Sequence, residues 1–215
     1  MAETKVNEEE LNKFLPLSLY FHNDSPKANT NENSTNSNFI NLADEYADLL
    51  SEYETKYLST LKGEQRAIEE QNLNDFFEEK VAYGKQMLEQ ITPLLLKELE
   101  KGNEIELAVR GYASSLSTSE YNLKLASRRI QSLINYLNAA ENNTIKPYLA
   151  SGKLNINKLP MGDYAVSNVQ DETNTMAAIY STDAAMERKI EIIALKSSGT
   201  SSTNKSERPI LEISK

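Results

Sequence analysis

The sequence predicts an α+β fold, a two-layer α/β sandwich in which helices cover one face of a mixed sheet. Short stretches with the two-residue alternation of strands are interleaved with longer ones whose apolar residues recur at threes and fours, as on amphipathic helices. Their order is strand, helix, strand, helix, strand, strand, with additional helical sequence after the first strand. A crossover from Phe21 to Ile105 sets those two strands parallel, and such connections are right-handed.

Leu15-Pro16-Leu17-Ser18-Leu19-Tyr20-Phe21 alternates as a first strand, with Pro16 at its entrance, where a missing N–H does least harm. Residues 22–37 are crowded with Asn, Ser and Thr and read as an exposed loop that includes His22. From 38 to 61 the spacing of Phe39, Leu42, Ala43, Tyr46, Leu50, Tyr53, Tyr57 and Leu61 predicts a helix whose tyrosine row faces the domain body. A second helix is expected over 74–101, from Phe77, Val81, Gly84, Leu88, Ile91 and Leu95, with Gly102 just beyond its end. Pro93 lies inside that pattern and predicts a kink or break near Thr92. The Glu-rich run 64–79 reads as a solvated helix surface.

Glu-Ile-Glu-Leu-Ala-Val-Arg over 104–110 is a half-buried second strand, followed by a loop, 111–118. Ser119 is the expected N-cap of a third helix over 120–139. Strands follow at 154–159 and 189–195. The expected domain is 1–195, with a helical insertion at 38–73. Residues 196–215 form a flexible tail in which 209–213 could add an edge strand.

Composition removes most enzyme classes. There is no cysteine, one histidine and only seven glycines in 215 residues, so thiolate metal sites, His-rich centres, a P-loop and a Rossmann fingerprint are all missing. No cofactor motif is present. The net charge of −9 speaks against nucleic acid, which is held by neutralising phosphates. No stretch is apolar for long enough to span a bilayer. The N-terminus is acidic where a secretory signal is basic and then apolar, so the chain either stays in the cytoplasm or is a piece of a longer exported protein. A glycan hydrolase needs a chosen pair of acids, and no two stand out among the 32 here.

The informative window is Val109-Arg110-Gly111-Tyr112-Ala113-Ser114, then Tyr121-Asn122-Leu123-Lys124-Leu125-Ala126-Ser127-Arg128-Arg129-Ile130. Asn122 and Arg129 are two turns apart and share one face of the third helix. Arg129 then faces the loop after the second strand, where its planar fork suits a carboxylate. Arg128 is expected to face solvent. Arg129 could also be structural, paired with an acid such as Glu187, and Arg188 could serve an ordinary ion pair.

At these residues the chain resembles the OmpA-like C-terminal domain, whose pattern is a strand ending in Gly-His-Thr-Asp, a small loop, then Tyr-Asn-x-x-Leu-Ser-x-x-Arg-Ala-x-x-Val. Gly111-Tyr112-Ala113-Ser114, Tyr121-Asn122, Leu125-Ala126, Arg129-Ile130 and Leu133 match it, and Glu187-Arg188-Lys189-Ile190 resembles the Asn-Arg-Arg-Val before the family's last strand. Leu15-Pro16-Leu17, Tyr20-Phe21, Asn23-Asp24, Phe76-Phe77, Pro147-Tyr148-Leu149 and Ile179-Tyr180-Ser181 also resemble the C-terminal modules of large periplasmic proteins associated with type IX secretion. The resemblance implies a non-catalytic periplasmic module, part of a longer protein, that binds the diaminopimelate stem of peptidoglycan. It would thereby anchor an outer-membrane-associated assembly to the cell wall. It implies a site of Gly111, Tyr112, Ser114, Asn122, Arg129 and Arg188, with a muropeptide as ligand and secretion-machine proteins as further partners. The family's Asp takes the ligand ammonium and its Arg the carboxylate. Here Ser114 stands in place of that Asp, so Asp163 or Asp183 is a candidate substitute. The alternative is an interaction scaffold that has kept the fold and lost the cell wall.

Overall fold

In the computed structural model, which describes residues 8–163 and 175–198, the sheet has four strands in the order β1-β4-β2-β3. After a short helix α1 at 8–12, β1 (Leu17–Tyr20) forms one edge of the sheet. It pairs antiparallel with β4 (Lys189–Ser198), and β4 pairs antiparallel with β2 (Glu104–Tyr112). β2 is parallel to β3 (Leu154–Gly162). β1 and β2 therefore run in the same direction, as the crossover requires, with the last strand inserted between them.

Alternation decides which face is buried. Ile105, Leu107 and Val109 are at most 1% exposed, whereas Glu106 and Ala108 between them are half-buried and the flanking Glu104 and Arg110 are open to water. The buried face is covered by α5 (Tyr83–Glu100) and α6 (Ser119–Asn143), which bring Leu88, Ile91, Leu95, Leu99, Ile130, Leu133 and Leu137 into one core with the strands. No helix among the described residues is long and apolar enough to cross a membrane.

The helix expected over 38–61 is divided into α2 (Phe39–Ala47), α3 (Leu50–Tyr57) and a 3₁₀ turn, Leu58–Thr60. The break at 48–49 leaves Tyr46 and Tyr53 in contact, with the Tyr53 hydroxyl donating to that of Tyr46 at 3.2 Å. The second helical stretch starts earlier than expected, as α4 (Gly63–Phe76), and reaches α5 through a π-helical turn, Phe77–Ala82. One extra residue per turn there lets the consecutive Phe76 and Phe77 both bury, 2% and 5% exposed, in a second core with Tyr20, Tyr46 and Tyr53. This aromatic cluster, with edge-on ring pairs at 5.2 to 5.5 Å, attaches the inserted helices to the edge of the sheet.

Helix α5 does not break at Pro93. Pro93 and Glu89, whose carbonyl loses its N–H partner there, both lie on the solvent side, so water can supply the missing bond. On the buried side, Thr92 donates its hydroxyl to the Leu88 carbonyl at 2.6 Å. Gly102 closes the helix with φ 89°, as expected of a left-handed C-terminal residue. The N-cap of α6 is Thr118 and not Ser119: the Thr118 hydroxyl accepts the Tyr121 N–H, while Ser119 turns to Asp163. α6 is regular to Ala139, and the non-helical backbone of Ala140, Glu141 and Asn142 turns it toward the short α7 (Lys146–Ser151). Short helices α8 (Thr175–Tyr180) and α9 (Thr182–Met186) lead into β4, which extends to Ser198, past the expected boundary at 195. The strand expected at 209–213 and the tail from 199 lie outside the described residues.

Gly84 marks the closest approach of helix to sheet: a Cβ there would stand 2.5 Å from the Ser18 carbonyl oxygen. Gly84→Ala must push α5 off β1 and is expected to cost about 1–3 kcal/mol. Urea unfolding checks this, with a lowered midpoint and an unchanged slope; an unchanged midpoint would contradict the packing described.

Candidate functional site

Helix α6 carries two neighbouring arginines with no exposed surface. Arg129 donates from Nε to the Ser25 carbonyl at 2.9 Å, from Nη1 to that of Tyr112 at 2.6 Å and from Nη2 to that of His22 at 3.4 Å. Its guanidinium also lies 5.3 Å from the centre of the Phe21 ring. Arg128 donates from Nε to the Pro26 carbonyl at 2.9 Å, and from Nη1 to those of Thr30 and Glu32 at 3.1 and 2.8 Å. Two turns further on, Asn135 donates to the carbonyls of Thr35 and Ser37. A single helix face thus holds the whole 22–37 segment by its backbone.

Two expectations are corrected here. Arg128 is buried, because its charge is met by three carbonyls and by Asp24, 3.8 Å away. Arg129 presents no free fork to a ligand, nor does it pair with Glu187; each of its nitrogens is committed to main-chain oxygen. Burial first, and then the charge of Arg188, pull its pKa down to about 9.

Beside this staple, between loop 22–37 and the N-terminus of α6, lies a cavity of about 270 Å³. Its walls are Asn23, Asp24, Asn29, Ser114, Leu116, Ser117, Tyr121, Asn122 and Leu125. Asp24 has φ 53°, a left-handed conformation that Asp tolerates better than most residues. Its carboxylate accepts the Asn29 N–H at 2.9 Å and the Tyr121 hydroxyl. Asn122, 1% exposed, donates to the Ser117 carbonyl at 3.1 Å and to Asp163 at 3.3 Å. Ser119 donates to the same Asp163 oxygen at 3.2 Å.

Of the six expected site residues, only Ser114 and Asn122 line this cavity. Gly111 serves packing: a Cβ there would meet the Ala126 carbonyl at 2.9 Å and Ile130 at 3.1 Å, so glycine lets α6 lie against β2. Tyr112 gives its carbonyl to Arg129 and its ring to Lys189, whose Nζ is 5.9 Å from the ring centre. Arg188 is buried between α8 and α3, donating to the carbonyls of Ile179 at 2.7 Å and Ala178 at 3.4 Å and to the Tyr53 hydroxyl at 3.3 Å. Asp163 reaches the site through Asn122 without lining it, and Asp183 stands exposed at the start of α9. The residue that sequence reasoning missed is Asp24. Its signal was present in the Asn23-Asp24 pair after the first strand, to which no role was attached.

His22 is not the exposed loop residue expected. It is partly buried, its Nδ1 lies 3.0 Å from the Tyr53 hydroxyl, and its ring touches those of Tyr46, Tyr53 and Tyr180 at 5.7 to 6.4 Å. Burial, and then the nearby Arg188, lower its pKa to about 4; burial also raises those of Tyr46 and Tyr53. Among the described residues no group of three or more His, Asp or Glu side chains could hold a metal ion. Comparison of the chain with protein-family models, with curated proteins and with solved structures gives no match in any of the three.

Two outcomes follow from this geometry. Arg129→Met removes the arginine donors from the carbonyls of Ser25, Tyr112 and His22, of which His22 keeps the Ser25 N–H, and is expected to lower stability by about 3 kcal/mol; a loss below about 1 kcal/mol in urea unfolding would contradict the staple. The sole histidine should titrate near pH 4 in a proton NMR titration, against an ordinary 6.5. Because the folded pKa is the lower one, the unfolded chain binds the extra proton first. The contribution of His22 to stability is therefore intact above pH 6.5 and declines as pH falls from there toward 4. A midpoint near 6.5 would refute the buried environment.

Proposed function

We propose that the chain is a non-catalytic, OmpA-like module that binds the diaminopimelate-type stem peptide of peptidoglycan and anchors an outer-membrane-associated assembly to the cell wall from the periplasm. The assembly that fits the resemblance is one of the type IX secretion system. The observation that carries the reading is the cavity at the end of β2 and the start of α6, where Asp24, Ser114 and Asn122 converge. In this reading Asp24 takes the ligand ammonium in place of the acid missing at Ser114, and Asn122 orients the bound peptide. The matched pattern from Gly111 to Leu133 and the mixed sheet backed by helices support the same family.

A second reading is favoured by one observation. The arginine that the family uses for the ligand carboxylate is here shut away, with each of its nitrogens bonded to main-chain oxygen. An interaction scaffold that has abandoned the wall would have that feature, and its contacts with secretion-machine proteins would run through residues 38–61.

Calorimetry with a purified diaminopimelate muropeptide separates the two. The first reading expects saturable binding that Asp24→Asn weakens about ten- to a hundredfold, the loss of one charge-assisted contact. Absence of binding, or equal binding by the variant, would reject it and leave the scaffold.

A further inference from the structure

The proposed ligand carries both an ammonium and a carboxylate on its side chain, and the charges around the cavity favour one over the other. Asp24 is the only ionisable carboxylate or cation on the described wall; Arg128 and Arg129 lie behind it with no exposed surface. Each oxygen of Asp24 accepts one hydrogen bond, from Asn29 or Tyr121, with an Arg128 nitrogen 3.8 Å from one of them, and a carboxylate oxygen accepts two. The N-terminal amides of α6 would attract a ligand carboxylate, but Asp163 is already held there by Ser119 and Asn122. A second anion brought to this end meets two carboxylates and no available guanidinium.

A separate observation concerns the acceptors on the wall. Ser114 is 5% exposed and lines the cavity, yet its hydroxyl has no hydrogen-bond partner among the described residues. Its oxygen is open to the cavity and not sealed from water, so a ligand donor can reach it. Asn122 commits its amide nitrogen to Ser117 and Asp163 and keeps its oxygen as an acceptor. Asp24, Ser114 and Asn122 together match the three N–H donors of an ammonium group.

Resting on the peptidoglycan reading, we infer that the cavity recognises the primary ammonium and does not read the carboxylate beside it, so a lysine-bearing stem peptide binds as well as a diaminopimelate-bearing one. The test is calorimetry on the full chain with three stem peptides that differ only at the third residue: diaminopimelate, lysine and Nε-acetyl-lysine. Cadaverine serves as a minimal amine. The first two peptides are expected to bind within about threefold of each other, and acetylation to weaken binding at least about tenfold. Asp24→Asn, which keeps a residue tolerant of the left-handed backbone, should weaken both tight peptides at least about tenfold, measured at a temperature where circular dichroism shows the variant folded. A preference of about tenfold or more for diaminopimelate, or equal binding of the acetylated peptide, would overturn the inference. If no peptide binds but cadaverine does, through Asp24, the ammonium site stands and the peptidoglycan reading falls. If neither peptides nor cadaverine bind, the inference falls with it.

Discussion

Two guanidinium groups sealed from water on one turn of α6 hold the cavity end of this molecule together. Taking an arginine out of water is costly by several kcal/mol, and the cost is met only when its donors find good acceptors. Here the acceptors are carbonyls of a single segment: Ser25 and His22 for Arg129, and Pro26, Thr30 and Glu32 for Arg128. The exchange satisfies both sides. An irregular loop has no ladder to pair its carbonyls, and a buried helix face has no water for its cations. Removing either partner leaves several groups stranded at once, so the loop and the helix order each other.

That mutual order produces the cavity. With its backbone pinned to α6, the loop brings Asp24 over the N-terminal turn, where Tyr121 and Asn29 fix its carboxylate beside Ser114 and Asn122. The inserted helices complete the other side of the same loop. His22 docks into the tyrosines of α2 and α3, and Arg188 enters that cluster from the strand side. Three buried arginines therefore serve one architectural end, and the charge on the cavity wall is the acid of Asp24.

The periodic parts of the fold were legible in the sequence because they follow from local rules. Strand alternation at Ile105, Leu107 and Val109, the α5 stripe through Leu88, Ile91 and Leu95, and the left-handed Gly102 all agree with their neighbours in the chain. The insertion of β4 between β1 and β2 was not legible, since alternation marks a strand without naming its partners. The break after Ala47 and the π turn at Phe77 escaped for a related reason: they arise from packing between aromatic rings that are distant in sequence. Pro93 misled because the rule for proline ignores which side of the helix faces water. Of the residues singled out by pattern, Ser114 and Asn122 lie on the cavity wall. Arg128 and Arg129 were assigned outward roles because burial of a charge is rare, and their acceptors lie 102 and 104 positions away in the sequence, at Pro26 and Ser25.

The most direct measurement is hydrogen exchange at the Nε–H of Arg129, followed by ¹⁵N NMR at neutral pH, first in the free protein and then with saturating muropeptide. A proton bonded to the Ser25 carbonyl and closed off from solvent should remain protected in both states. Exchange as fast as that of free arginine, or protection that vanishes when the peptide is added, would show a guanidinium available to ligand and contradict the structural role given to it.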